Sequence, residues 1–213
     1  MNICKDLILP VLITFLGVLL ALYFDKQRLP KFFMTASEDA NLDRTYSLGH
    51  PKVGQRWKYF RIRIFNKKMT WWLSWLVKRQ TAENCRATIN FVGINNDTDF
   101  TFKGRWASTP ELPFLNEKFV KIFQPDPVTI AESDSEILDV ITKCENDHEA
   151  YGWNNEAYLD VHDWRTPEYK LNEGKYKVRI VINTQNGVSL KKEFYLTVDS
   201  TIKNTRLENY QIT

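Results

Sequence analysis

Chemistry in this sequence would have to come from three histidines, three cysteines and a few acidic runs, and none has the spacing that catalysis or metal binding needs. His50, His148 and His162 lie far apart and lack the short-range pairing of zinc ligands. His148 and His162 share a neighbourhood with Asp147, Glu149, Asp160 and Asp163, which reads as a solvated loop before it reads as a divalent-cation site. The run AESDSE at 131–136 lacks both the acid spacing of a calcium loop and the glycine its sharp turn requires. A cysteine nucleophile needs a base beside it. Cys85 falls on the inward face of an expected strand, and neither it nor Cys144 has a sequence signal for a partner histidine. A serine elbow, a phosphate-binding glycine loop, a dinucleotide fingerprint and a zinc-protease motif are all absent from the sequence. The expectation is a protein that is not an enzyme, with no catalytic residue, no metal site and no cofactor.

A different kind of chemistry is written at 67–79, in KKMTWWLSWLVKR. Trp71, Trp72, Trp75 and Leu76 are spaced to share one side of a short helix, with Lys67 and Lys68 before them and Lys78 and Arg79 after. An apolar run of only about eight residues is too short to span a bilayer. Indoles bracketed by cations suit the headgroup region, where the rings sit at the interface and the charges meet anionic lipid. These eight residues are therefore the expected membrane-interface site. Two other readings stay open here: an insert buried against the domain, and a site for a partner protein.

Such an insert needs an element that brings it to a membrane, and the N-terminus supplies one. Residues 7–24 read LILPVLITFLGVLLALYF, eighteen residues without a charge. At 1.5 Å per residue that is about 27 Å of helix, close to the hydrocarbon thickness of a bilayer. A cleaved signal peptide would start basic, run shorter and end at a small-x-small site. Here Lys5 is offset by Asp6 and the run leaves through Tyr23-Phe24-Asp25, so an uncleaved anchor is expected. Lys5 precedes the helix, whereas Lys26, Arg28 and Lys31 follow it, which places the N-terminus outside and the following domain in the cytoplasm. Thr14, Gly17 and Ala21 line one helix face, and Gly17-x-x-x-Ala21 is a small-residue pair that lets helices approach closely. The expected partners are the lipid bilayer, another protein, and a second copy of the chain through this helix.

The rest of the chain has the composition of a folded domain. Aromatics make up 14% and charged residues 26%, with little Gly or Pro, which argues against extensive disorder. The net charge of +3 is spread among interleaved acids and bases, which excludes the concentrated basic face of a nucleic-acid binder. Residues 1–6 read as a tail and 25–56 as a juxtamembrane tether. The segment 57–200 reads as the domain, with the insert at 67–80, and 201–213 as a C-terminal tail. Period-two alternation predicts strands at 57–66 (WKYFRIRIFN) and 84–92 (NCRATINFV). Shorter strands are expected at 99–103, 119–123, 128–130 and 137–141, and Trp106 reads as a core aromatic. LNEGKYKVRIVINT and VSLKKEFYLTV around Asn186-Gly187 predict a hairpin with a two-residue turn. The segment 144–170, with Tyr151, Trp153, Tyr158 and Trp164 among many acids, reads as a long loop. The fold class that follows is mainly β: an antiparallel sandwich behind a transmembrane helix, with a closed barrel as the alternative. Cys85 and Cys144 read either as reduced buried thiols, which an inward domain favours, or as a disulfide in an oxidising compartment.

FRIRIFN, the run Ala82 to Ala87, Trp106 and L-x-x-G-x-Y-x-V-x-I from Leu171 to Ile180 together resemble the immunoglobulin-like CARDB-type domains of prokaryotic surface and membrane-attached proteins. The resemblance covers roughly residues 57–198 and rests on turns and core positions. It implies an Ig-like sandwich and carries over no catalytic residue. The function expected is a protein-binding or scaffolding module at the membrane surface. Two competitors fit the same residues: an outward-facing envelope or adhesion module, and a ligand-sensing effector whose helices cluster.

Overall fold

The computed structural model describes residues 3–45, 53–109, 125–159 and 165–209. Its first element, α1 (Ile3–Arg28), holds a stretch, Pro10–Arg28, long and apolar enough to cross a membrane, with none of that stretch buried. Val11, Leu12 and Ile13, successive and so about 100° apart around the axis, are all exposed. By length and composition, this uncovered helix has what a membrane span requires. Thr14 Oγ1 donates to the Pro10 carbonyl at 2.9 Å, so its hydroxyl is satisfied inside the helix.

Only residues 29–31 separate α1 from the first strand, and Pro30 among them cannot continue the helix. The first sheet holds β1 (Phe32–Ala36), β2 (Leu42–Thr45), β3 (Arg56–Asn66), β7 (Ser135–Cys144), β8 (Ala150–Gly152) and β9 (Lys170–Leu171). Its order is β1-β3-β7-β8-β9, with β2 also paired to β3. The second sheet holds β4 (Ala82–Gly93), β5 (Asp99–Gly104), β6 (Val128–Ile130), β10 (Gly174–Asn183), β11 (Ser189–Val198) and β12 (Arg206–Asn209). Its order is β12-β11-β10-β4-β5, with β6 on β4. Every pairing is antiparallel, and the two sheets form a sandwich.

Alternation decides which faces meet. Phe60, Ile62 and Ile64 of β3 point into the same core as Ile89 and Phe91 of β4, and Val178, Ile180 and Ile182 of β10. All are fully buried, and each such side chain contributes roughly 1.5–3 kcal/mol by leaving water. Trp106 joins them, held by a bridge to Leu138. Where β8 crosses the core edge, Gly152 is required: a Cβ there would lie 2.5 Å from Phe102 Cε1.

Several expectations need correction. Residues 25–56 are not a tether, since β1 and β2 within them pair with β3. FFMTA and LDRT are too short to announce a strand alone, but β3 offers them a complete edge. Residues 201–213 are not wholly a tail, because β12 pairs with β11. The β10–β11 hairpin forms, yet its loop is longer than two residues. Gly187 N–H donates to Thr184 O and Thr184 N–H to Val188 O, leaving Gln185, Asn186 and Gly187 as the loop, with Gly187 at φ +75°. The segment 144–170 carries β8, β9's first residue and the short helix α2 (Asn155–Leu159). Cys85 and Cys144 are buried thiols in separate clusters with no bridge between them. The strand expected at 119–123, together with His50, His162 and Trp164, lies outside the described residues.

Candidate functional site

The insert between β3 and β4 is folded by two turns where the sequence suggests a short helix. Leu73 and Ser74 N–H both donate to Thr70 O, then Leu76 and Val77 N–H both donate to Leu73 O. Six residues flanked by chain that must return to the sheet leave no length for a helix to propagate. The turns divide the insert into two sides. Met69 and Leu73 point inward and are buried, whereas Trp71, Trp72, Trp75 and Leu76 point outward, 86%, 50%, 77% and 52% exposed. Only part of the insert therefore packs on the domain, and its three indoles do not.

What fixes the insert in place is the end of α1. Arg79, itself buried, donates through Nη1 to the carbonyls of Gln27 at 3.2 Å and Leu29 at 2.8 Å. Those carbonyls belong to the last turn of α1 and its exit, where acceptors are left over and a cation meets the negative end of the helix dipole. Arg79 Nη2 also reaches Met69 Sδ at 3.7 Å, and burial pushes the guanidinium below the usual arginine range. Gln80 N–H donates to Arg28 O at 2.7 Å and Lys67 N–H to Lys31 O at 2.8 Å. Both ends of the insert are thus bonded to the segment leaving α1. Asn66, fully buried, closes the joint: its Nδ2 donates to Gln80 O and Ile130 O, and its Oδ1 accepts from Lys31 N–H.

Between α1 and the insert runs a groove of about 850 Å³. Val18, Ala21 and Leu22 make its apolar side on the helix, Leu76 faces them, and Arg28 and Lys78 stand at its rim. Lys67 is drawn over the Phe33 ring at 5.0 Å, and Lys68 is exposed beside it. The eight residues singled out at 67–79 fall together, seven at the surface and Arg79 as the buried latch. Thr14 and Gly17 lie on the uncovered helix, Ala21 lines the groove, and a Cβ at Gly17 would meet nothing within 4 Å.

No protein-family model matches this chain, and no curated protein matches its sequence.

Elsewhere the candidates for chemistry disperse. His148 Nδ1 pairs with Glu173 at 2.8 Å at the surface, and among the described residues no group of three metal-ligating side chains converges. Burial pushes the Cys85 thiol up to about 11, away from the range of a nucleophile. The residues that sequence reasoning missed are Asn66 and the basic–aromatic group around Asp139. Their only signal was a polar residue ending an apolar strand and a lone acid inside ILDVIT.

Proposed function

We propose that the chain is a single-pass membrane protein whose β-sandwich serves as a binding module seated on the bilayer surface. The observation that carries this reading is the position of Trp71, Trp72 and Trp75, outward on an insert bonded to the end of the apolar helix. With α1 across the membrane, the three indoles lie at the level where the helix leaves the hydrocarbon. There they gain the interfacial preference of tryptophan while their N–H groups stay near water. The groove beside Leu76 would then take a lipid chain, with Arg28 and Lys78 at headgroup height. Lys26, Arg28 and Lys31 flank this end of the helix against Lys5 at the other, which supports a cytoplasmic domain by the positive-inside rule. The antiparallel two-sheet arrangement supports the immunoglobulin-like resemblance as part of the same proposal, and the open face at Gly17 supports self-association through the helix.

The seating is tested with full-length protein in bilayers carrying a doxyl-labelled phospholipid. Tryptophan fluorescence should be strongly quenched by label near the headgroups, and Trp71→Ser, Trp72→Ser, Trp75→Ser together should remove most of that quenching. Quenching unchanged in the triple variant would sink the reading. A second reading, a ligand-sensing effector, is favoured by one observation: a pocket lined by Trp153 on the outer face of the first sheet.

A further inference from the structure

The outer face of the first sheet is covered, and the cover leaves a hole. Tyr59 on β3 and Cys144 on β7 are buried under Trp153 and Ala157, in a second small core that Trp57 and Leu42 edge. The segment from β8 through α2 supplies this cover. Beside it lies a cavity of about 610 Å³, inside the size range of small-molecule sites. One wall is aromatic: the Trp57 and Tyr59 rings are 4.8 Å apart and those of Tyr59 and Trp153 5.1 Å, tilted by 57° and 55°.

The other wall is cationic. A bulge in β7 sets Phe60 opposite Ile141 but Arg61 opposite Asp139, so Val140 is the extra residue and Asp139 turns to the outer face. Arg61 Nε donates to Asp139 Oδ1 at 2.6 Å, and Arg105 Nε stands 4.0 Å from Oδ2. Arg105 also donates to Asn155 Oδ1 and Thr109 O, both at 3.0 Å, which fixes it in place. Arg44 of β2 completes the wall from the open side, exposed and next in register to Trp57. Three guanidiniums thus line a cavity that holds one carboxylate, and two of them, Arg61 and Arg105, are at that carboxylate. Arg61 bonds Asp139 through Nε and lays its guanidinium over the Tyr59 ring at 5.1 Å, so the edge with its two terminal nitrogens, and those of Arg44, remain for a ligand. Thr109 also lines the cavity, and its Oγ1 is buried with no hydrogen-bond partner among the described residues. A nine-tenths buried hydroxyl without a partner costs free energy unless something entering the cavity satisfies it.

We propose that this cavity binds a nucleotide-sized organic phosphate, its planar ring against Trp57, the partly exposed end of the aromatic wall that Tyr59 and Trp153 back, and its phosphate on Arg44 and Arg61. Arginine forks match phosphate oxygens two at a time, and the buried Arg105–Asp139 pair holds Arg61 in position to offer its outer edge. The inference rests on the second reading above; its failure leaves the membrane seating untouched, because the two sites share no residue.

The test uses the full-length protein in nanodiscs, titrated with AMP, GMP, CMP and UMP, with adenosine and inorganic phosphate as separate arms. At least one nucleotide should bind and raise the melting temperature. Adenosine and inorganic phosphate should each bind at least tenfold more weakly than it does. Arg44→Ala, at an exposed position that leaves the fold intact, should weaken that nucleotide at least tenfold. Thr109→Val should weaken it less, without lowering the melting temperature of the empty protein. Absence of binding by all four nucleotides would overturn the proposal, as would equal affinity for either half-ligand or an Arg44→Ala variant that binds like the parent.

Discussion

Replacing Asp139 with alanine is expected to cost about 3–5 kcal/mol and to lower the melting temperature by roughly 10 °C, the largest effect of any single polar substitution in the domain. The carboxylate is 2% exposed and sits between two guanidiniums, and its own N–H is bonded to Arg105 O. Burial pushes its carboxyl above the usual range, while Arg61 and Arg105 pull the other way. Removing it leaves two cations without their shared anion, and Arg105 at 5% exposure cannot turn out to solvent. Asp139→Asn keeps an acceptor for Arg61 and should lose markedly less. Thermal unfolding of both variants beside the parent checks this, and a loss under about 1 kcal/mol for Asp139→Ala would mean that the cluster is not a closed network.

The second large effect is expected at Arg79. Arg79→Ala removes three donor contacts, two of them charge-assisted bonds to the carbonyls at the end of α1. A net loss of about 2 kcal/mol is expected, felt locally because sandwich and helix are otherwise untouched. The joint should then open about 30-fold more often. The amides of Lys67 and Gln80, bonded to Lys31 O and Arg28 O, should exchange with deuterium faster by that factor, while those of β10 and β11 keep their rates. Arg79→Lys should not restore protection, since one ammonium cannot reach two carbonyls and fill the same planar slot. Unchanged exchange at Gln80 would show that Asn66 alone holds the insert to the end of α1.

These two residues also mark the limit of what the sequence discloses. The long strands β3, β4, β10 and β11 are legible because one face of each meets the core and the other stays polar, so alternation survives into the residue order. In β7 it fades: Leu138 through Cys144 are all buried because the segment around Trp153 covers the outer face, and with both faces dry the period of two disappears. Strands of two to five residues such as β1, β2, β8, β9 and β12 exist because a longer neighbour completes their hydrogen bonds, which no local window can register. The Trp-rich insert was legible through composition alone, since four large apolar residues between basic pairs are unusual in any loop. That Arg79 turns inward to cap α1, while Lys78 beside it faces out, depends on where a helix some fifty residues earlier ends. The cavity is hidden most completely, gathering residues from Leu42 to Trp153 through one bulge.

The most direct measurement of the central claim is the depth of the insert in a bilayer. A spin label at Leu76→Cys, in full-length protein with Cys4→Ser and reconstituted in nanodiscs, reports that depth through its relative accessibility to oxygen and to a water-soluble nickel chelate. Cys85 and Cys144, being buried, stay out of reach of the labelling reagent. A control label at Lys203→Cys, in an exposed turn remote in sequence from the insert, sets the value for water. The account predicts an oxygen-favoured label at position 76, about 5–10 Å into the interface, against a nickel-favoured one at 203. Equal nickel accessibility at the two positions would place the insert in water and contradict a domain seated on the membrane.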